Sequence, residues 1–503
     1  MRALILLTLL LPAAFAEDVD DVQFHGGGWF QFGRVEHSSD TLANGEEFKD
    51  YNNFNKNWIQ STGGQITAVQ KISDNWEGGL GLGAILVSNS RGSVEGAHTW
   101  TTWWNPFVTE ARLTFTQPLG PKNKLQLTVG SFPYVYNPDI KNLGLYLTRG
   151  QVYPGTLFSG FETKHTQPTA ATQVGGMARI QIGNFQNDLL LNSETETKPF
   201  FDLSLMDIVS YQATPWLQIG AGVNFYRLIA QNPKVTSPGT SCAFDKEWSG
   251  SNLPDASDRC YVLDTVYSHV GHIDTSLVDP TAANTPGGVL QINPVLDSIK
   301  FDTILGSMAG TKLMARFRFD PKILLGLKGV GSWTWGKNDL VLYGEAAVLG
   351  LQDYPRYYPD IWQRMPVTLG FNLPAFGLLD RLALEIEYYG SRNFPDYEKA
   401  ETSASWVPRQ ISGDGIDSSR TITYNGYTYN KVRTSSILDY TRNDWKWSLY
   451  ASRVLMGHLR IAGQVANDHL LIPGPPSAPD PDWEEALTTP KDWYWMLKLA
   501  YFF

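Results

Sequence analysis

The chemistry open to this chain is carried by charges set at every second residue. In Lys312-Leu-Met-Ala-Arg316-Phe-Arg318-Phe, three cations share one face, and Leu313, Ala315, Phe317 and Phe319 share the other. Residues 108–116 set Glu110, Arg112, Thr114 and Thr116 against Leu113 and Phe115. Residues 381–389 set Arg381, Glu385 and Glu387 against Leu382, Leu384, Ile386 and Tyr388. Residues 459–466 set Arg460 and Gln464 against Leu459, Ile461 and Val465. A period of two belongs to a strand with two unlike faces. Rows of fixed charge attract, repel and steer ions; they do not by themselves transfer protons or attack bonds.

Other groupings invite a chemical reading and carry less. Trp100-Thr-Thr-Trp103-Trp104 and Tyr354-Pro-Arg-Tyr357-Tyr358-Pro-Asp-Ile-Trp362 offer rings on which a sugar could stack. An aromatic girdle at a membrane surface explains them more simply. His269-x-x-His272 with Asp274 is weak evidence for a metal, and Asp480-Pro-Asp482-Trp-Glu484-Glu485 fits a solvated loop better than a divalent-cation site. His458 and His469 have no Ser or Asp partner identifiable by spacing. GxSxG, HExxH and phosphate-cradling glycine loops are absent. No cofactor is implied, and a hydrolase at the rim ranks third among the functional readings.

The elements that must position these charges are strands. Sixteen candidates alternate along the chain: 23–35, 58–72, 76–87, 108–116, 124–132, 172–182, 188–191, 202–211, 217–228, 312–319, 339–348, 366–373, 381–389, 445–454, 459–466 and 493–503. Links from odd to even strands are long, and those from even to odd are short. The exception is 320–338. It opens Asp320-Pro321, an N-cap followed by proline at the first helical position, and predicts a short helix. If 323–335 were a strand instead, parity would require eighteen. The largest link, 231–310, holds both cysteines, Cys242 and Cys260.

The two ends of the chain bear on location. MRALILLTLLLPAAFA, residues 1–16, has one Arg, a short apolar run and a small-x-small ending, as a secretory leader does, so 17–503 is the expected mature chain. In an oxidising compartment Cys242 and Cys260 are expected to form a disulfide; free thiols and a half-built metal site are the alternatives. No stretch offers the ~20 apolar residues of a membrane helix. Charged residues are 18% of the chain, below the ~25% of soluble domains, and the net charge of −10 disfavours nucleic acid. At the other end Trp493, Trp495, Leu497, Leu499, Tyr501 and Phe503 form an unbroken apolar stripe. Rings sit at both of its ends and leucines at its centre, the order a bilayer asks of a spanning strand.

This closing stripe resembles that of bacterial outer-membrane β-barrels, in which the last strand and its terminal aromatic form the assembly signal; Leu497, Leu499, Tyr501 and Phe503 match. Over the mature chain the architecture resembles a porin. The resemblance implies an all-β, transmembrane antiparallel barrel of about sixteen strands in the outer membrane. It implies contact with outer-membrane lipid and lipopolysaccharide, with the barrel assembly machinery and with small hydrophilic solutes, and a possible homotrimer. Charges cannot face lipid cheaply, at about 2–4 kcal/mol each at the midplane, so they belong in the lumen. In porins the third outer loop folds inward; here that loop is 133–170. The expected pore-lining and constriction set is Glu110, Arg112, Asp139, Lys141, Arg149, Glu162, Arg179, Lys312, Arg316, Arg318, Glu385, Glu387 and Arg460. Loop charges facing Arg112, Arg179 and Arg316 would set a transverse field. A surface-structural or partner-binding barrel, with its lumen plugged by loops and its charges paired internally, remains the alternative.

Overall fold

The computed structural model describes residues 22–38, 54–91, 99–149, 171–195, 200–229, 310–351, 361–390, 417–424, 427–431, 445–476, 481–487 and 489–503. The leader 1–16, Cys242, Cys260, Glu162, His269, His272, Asp274, Tyr354 and Asp480 lie outside them.

Sixteen antiparallel strands close into one barrel. They are β1 (Val22–His37), β2 (Trp58–Lys71), β3 (Trp76–Arg91), β4 (Thr99–Gly120), β5 (Asn123–Tyr134), β6 (Ala171–Ile182), β7 (Phe185–Ser193) and β8 (Leu203–Thr214). They continue with β9 (Leu217–Ile229), β10 (Gly310–Phe319), β11 (Leu342–Val348), β12 (Val367–Asn372), β13 (Arg381–Tyr388), β14 (Trp445–Leu455), β15 (Leu459–Asn467) and β16 (Trp493–Phe502). Each strand pairs with its sequence neighbours, and β16 pairs with β1 from Gly27↔Phe502 to Arg34↔Trp495. Gly26 and Phe503 exchange both backbone hydrogen bonds, 3.1 and 3.0 Å, at the end of that seam. No strand edge of the barrel is left open, as a hydrocarbon surround requires.

The expected alternation of links holds, with two refinements. The aromatic stretch at 99–107 is strand rather than loop: β3 and β4 run on as a long hairpin, and Trp103 and Trp104 pair with Val87 and Leu86. A bulge lets Gly81 pair with Glu110 and Leu82 with Val108, so Thr109 is the extra residue. The bulge shifts the apolar face from Trp104 and Val108 to Leu113, which hid the strand from a strict period of two. The eighteen-strand alternative fails, because 323–335 adds no strand to the barrel. A short helix α1 (Pro321–Leu325) is capped by the Asp320 carboxylate, which accepts from the Lys322 and Ile323 amides. It ends at Gly326 with φ 63°, and Gly329–Val330 then pairs with Trp333–Thr334 in a small hairpin.

The two faces separate as a membrane demands. On β16, Leu497 and Leu499 are 47% and 45% exposed, whereas Tyr494 and Met496 on the other face are 1% and 8%. Exposed rings ring both rims: Trp58, Trp104, Trp445 and Trp493 at the loop end, Trp76, Tyr211, Tyr501 and Phe503 at the turn end. Amphipathic rings collect at the two interfaces and aliphatic side chains between them. The barrel therefore spans an outer membrane with every strand.

Inside, packing is uneven. Phe132, Tyr134, Tyr136, Ile140, Leu145, Tyr146, Leu147, Met206, Met314 and Tyr343 form one buried apolar cluster enclosed by the wall. It fills the lumen beside β5–β12. The opposite side, beside β14–β16, β1 and β2, stays open.

The face assignment has a direct test. Leu497→Arg places a charge against lipid near mid-strand and should cost about 2–4 kcal/mol in reversible unfolding from lipid vesicles. A loss under about 1 kcal/mol would mean that this face does not meet hydrocarbon.

Candidate functional site: the lumen and its infolded loop

The polypeptide after β5 turns into the barrel, and three wall carboxylates hold it there. Glu345 on β11 and Glu387 on β13 both pair in register with Thr368 on β12, so carboxylate, hydroxyl and carboxylate lie in one row. Glu385 lies in the next row, level with Gly370 and Tyr343. Strand alternation puts all of them on the lumen face.

Each carboxylate takes loop donors. Glu345 accepts from the Tyr136 hydroxyl at 2.6 Å, the Tyr146 amide at 2.8 Å and the Asn137 side chain at 3.2 Å. Glu385 accepts three successive loop amides, Lys141 at 2.6 Å and Asn142 and Leu143 at 2.8 Å, plus the Tyr343 hydroxyl at 3.0 Å. Glu387 accepts from the Tyr146 hydroxyl at 2.7 Å, while its other oxygen meets His469 Nε2 at 2.7 Å. Tyr343 reaches Glu385 because Gly370 lies beneath its ring: a Cβ there would fall 2.1 Å from the ring edge. Burial, and then the neighbouring Glu345 and Glu387 charges, push the Tyr136 and Tyr146 phenols well above their usual range, so both remain donors.

Three backbone N–H groups converging on one carboxylate make a nest, a compact way to neutralise a buried charge without a cation. The loop thereby satisfies amides that would otherwise be stranded in a dry interior. Behind it, Asn142 bonds Asp468, which also accepts from the Tyr494 hydroxyl at 2.7 Å.

The other charges expected in the lumen are placed as follows. Asp139 meets Arg318 at 3.1 Å and Arg381 at 3.9 Å, and its carbonyl accepts from Arg381 at 2.7 Å. Arg112 is held by Glu77 at 2.8 Å and Glu110 at 3.0 Å. Arg179 makes a two-pronged contact with Asp188, 2.6 and 2.7 Å, which also accepts from Tyr134 at 2.9 Å. Arg316 donates to Ser210 at 2.5 Å. Lys312 is buried against the face of Tyr226, and Arg149 is buried at the end of the described loop. Arg460 faces open lumen. The loop does bring Asp139 to wall arginines, but to Arg318 and Arg381. Arg112 and Arg179 keep partners on the wall itself.

Between the loop and the walls of β14–β16, β1 and β2 remains a space of about 630 Å³. Lys141, Arg381, Arg460, Lys498, Gln31 and Trp29 are among its lining residues. Burial, and then the charge of Arg381, lower the Lys141 amine to about 8, against the pull of Glu385 and Asp139.

Thus closed barrel, short turns at one end and an infolded third loop stand together. The fold is that of a porin-like outer-membrane barrel. No family model and no curated protein matches the chain. Among solved structures, a mutant of the Rhodopseudomonas blastica porin is 8% identical over 96% of this chain and 100% of its own, with a TM-score of 0.35. A low-pH structure of Pseudomonas putida OprB is 8% identical over 99% and 95%, with a TM-score of 0.39.

The wall charges are legible in the sequence, and the anchors of the loop are not. Tyr136, Tyr146, Thr368 and His469 carry no motif; they matter through partners on other strands, with Tyr136 and Glu345 209 residues apart and His469 and Glu387 82 apart. Lys498 was legible, being the one charge in the last strand and on its non-apolar face. The aromatic segments divide: Trp104 joins the outer girdle, Trp362 is exposed on a short 3₁₀ turn (Ile361–Arg364), and 352–360 lies outside the described residues. Among those residues no three His, Cys, Asp or Glu side chains gather as a metal site.

Glu385→Ala strands three loop amides, at about 1–3 kcal/mol for each buried orphan. The loop should then detach while the barrel stays closed, and trypsin should cut after Lys141 in the folded variant and not in the parent. Equal resistance of both would show that the nest does not hold the loop. The Lys141 amine should reach half its maximal acylation rate near pH 8, whereas solvated lysines keep gaining reactivity toward about pH 10.4. A Lys141 profile matching theirs would contradict its shielded position.

Proposed function

We propose that the protein is a diffusion channel for small hydrophilic solutes and ions. The observation that carries this reading is the 630 Å³ space beside the infolded loop, lined in part by charged and polar side chains, in a barrel wide enough for an aqueous path. The mechanism is passive. Width beside the loop sets a size limit, and fixed wall charges bias which ions pass. The lining includes Lys141 and Arg460. Glu385, Glu387 and Asp139 set the loop's position, and Glu110, Arg112, Arg179, Lys312, Arg316 and Arg318 complete the charged wall, with Arg149 on the loop side; Glu162 belongs to the same loop by sequence and lies outside the described residues.

The reading extends to a cleaved leader at 1–16, a disulfide between Cys242 and Cys260 in the 231–310 loop, and a Gram-negative host. It also includes assembly through the C-terminal stripe, contact with lipopolysaccharide, and trimerisation.

A second reading has an observation of its own. The apolar cluster around Tyr146 fills the lumen beside it, as loops would in a surface-structural barrel that they seal and that binds partners. A hydrolase has less support: His469 is engaged by Glu387, and that carboxylate anchors Tyr146.

Planar-bilayer recording of the purified protein separates the readings. A channel gives stable conductance steps, and replacing 139–146 by a short glycine linker enlarges them. A folded barrel silent before and after that change is the sealed, structural one.

A further inference from the structure

The lumen acids named above are all engaged, whereas two lumen bases, Arg460 and Lys498, have no carboxylate partner among the described residues. Glu345, Glu385 and Glu387 face the loop and accept its donors; Asp188 is held by Arg179, and Asp139 is shared between Arg318 and Arg381. The open space meets a different set: Lys141, Arg381, Arg460 and Lys498, against Asp380 as the one acid. Asp380 in turn lies 3.8 Å from Arg453 and accepts the Val454 amide at 2.5 Å.

Arg460 and Lys498 are the centre of this set. Ala462 pairs with Lys498 and Arg460 with Ala500 across β15 and β16, which makes the two cations diagonal neighbours on the lumen face. Such neighbours lie about 7–8 Å apart between backbones, within reach for long side chains. Neither has a carboxylate partner among the described residues. What they touch is aromatic: Arg460 lies 5.6 Å from the Phe502 ring and Lys498 5.7 Å from the Trp29 ring. Trp29 is seated over Gly63, where a Cβ would fall 2.4 Å from its ring. Rings orient cations without cancelling their charge. Two like charges side by side in a low-dielectric shell leave a positive potential that an anion relieves.

We propose that this inner chamber is an anion-binding vestibule, built by Arg460, Lys498, Arg381 and Lys141, and that the solutes it selects are small oxyanions of the carboxylate or phosphate type. The inference rests on the channel reading and names its substrate class. A guanidinium offers paired donors that match two oxygens of such a group, and two ammonium groups supply further donors. The net charge of −10 for the whole chain is no guide to the sign of this lumen, because the wall acids named here are turned to the loop or paired with wall arginines.

The test is the reversal potential of the purified full-length protein in a planar bilayer under a KCl gradient, followed by titration with inorganic phosphate. The wild type should prefer chloride over potassium, and phosphate should depress the chloride current. The double variant Arg460→Gln/Lys498→Gln should conduct, lose at least about threefold in that preference and lose the phosphate effect. Lys498→Glu alone should shift the reversal potential in the same direction, which covers a double variant that fails to assemble. A wild type that conducts and prefers potassium, or variants with unchanged reversal potential, overturns the vestibule and leaves the channel standing. A silent wild type overturns the channel itself, and the vestibule with it.

Discussion

Every backbone amide that crosses hydrocarbon must find its partner within the protein, and the rest of the molecule follows from that constraint. It forces closure, and closure is made by the seam between β1 and β16, where the chain's first and last strands pair from Gly27 to His37. Once the wall is continuous, the alternation of side chains leaves no freedom. One face meets lipid and must be apolar; the other inherits every charge. Leu313, Ala315 and Phe317 on one side of β10, with Lys312, Arg316 and Arg318 on the other, are this rule applied to eight residues.

The same constraint reappears one level in. A loop that enters a barrel takes its own amides out of water and needs acceptors there. Glu345, Glu385 and Glu387 are those acceptors, and they stand on β11 and β13, the wall the loop packs against. The arrangement satisfies two demands at once, since a buried carboxylate without donors is as costly as an amide without an acceptor. It also settles where the residual charge lies. Because Glu345, Glu385 and Glu387 face the loop, the open side of the lumen is left with Arg460 and Lys498.

How much of this was legible depended on the range of the interaction. The strands were, since alternation is local: each of the sixteen expected segments overlaps a strand of the barrel. The 99–107 stretch was not, because the extra residue Thr109 breaks the phase between Trp104 and Leu113. The lumen-facing charges were legible as a face and illegible as pairs. Nothing in a one-dimensional pattern says that Asp139 meets Arg318 rather than Arg112, since both arginines alternate correctly on their own strands. Tyr136 and Tyr146 were invisible as anchors. A tyrosine in a loop has no signature until the carboxylate it donates to is known.

The asymmetry of the interior follows from the same pairing. Had the loop been held by lysines or arginines on the wall, it would have needed carboxylates of its own, and the described loop has one, Asp139. It has instead a run of amides and two tyrosines, which are donors. A donor-rich loop can dock only on an acidic wall, and in this chain the acidic wall is β11 and β13. That choice displaces the loop to one side and places its apolar residues, Ile140, Leu145 and Leu147, against Met206 and Met314. The opposite wall, from β14 through β16 to β2, has small residues and cations, Gly27, Gly28, Gly463, Arg460 and Lys498 among them. Width and positive charge thus coincide on the side the loop leaves free. They do so because loop docking consumes acids and bulk on the same wall.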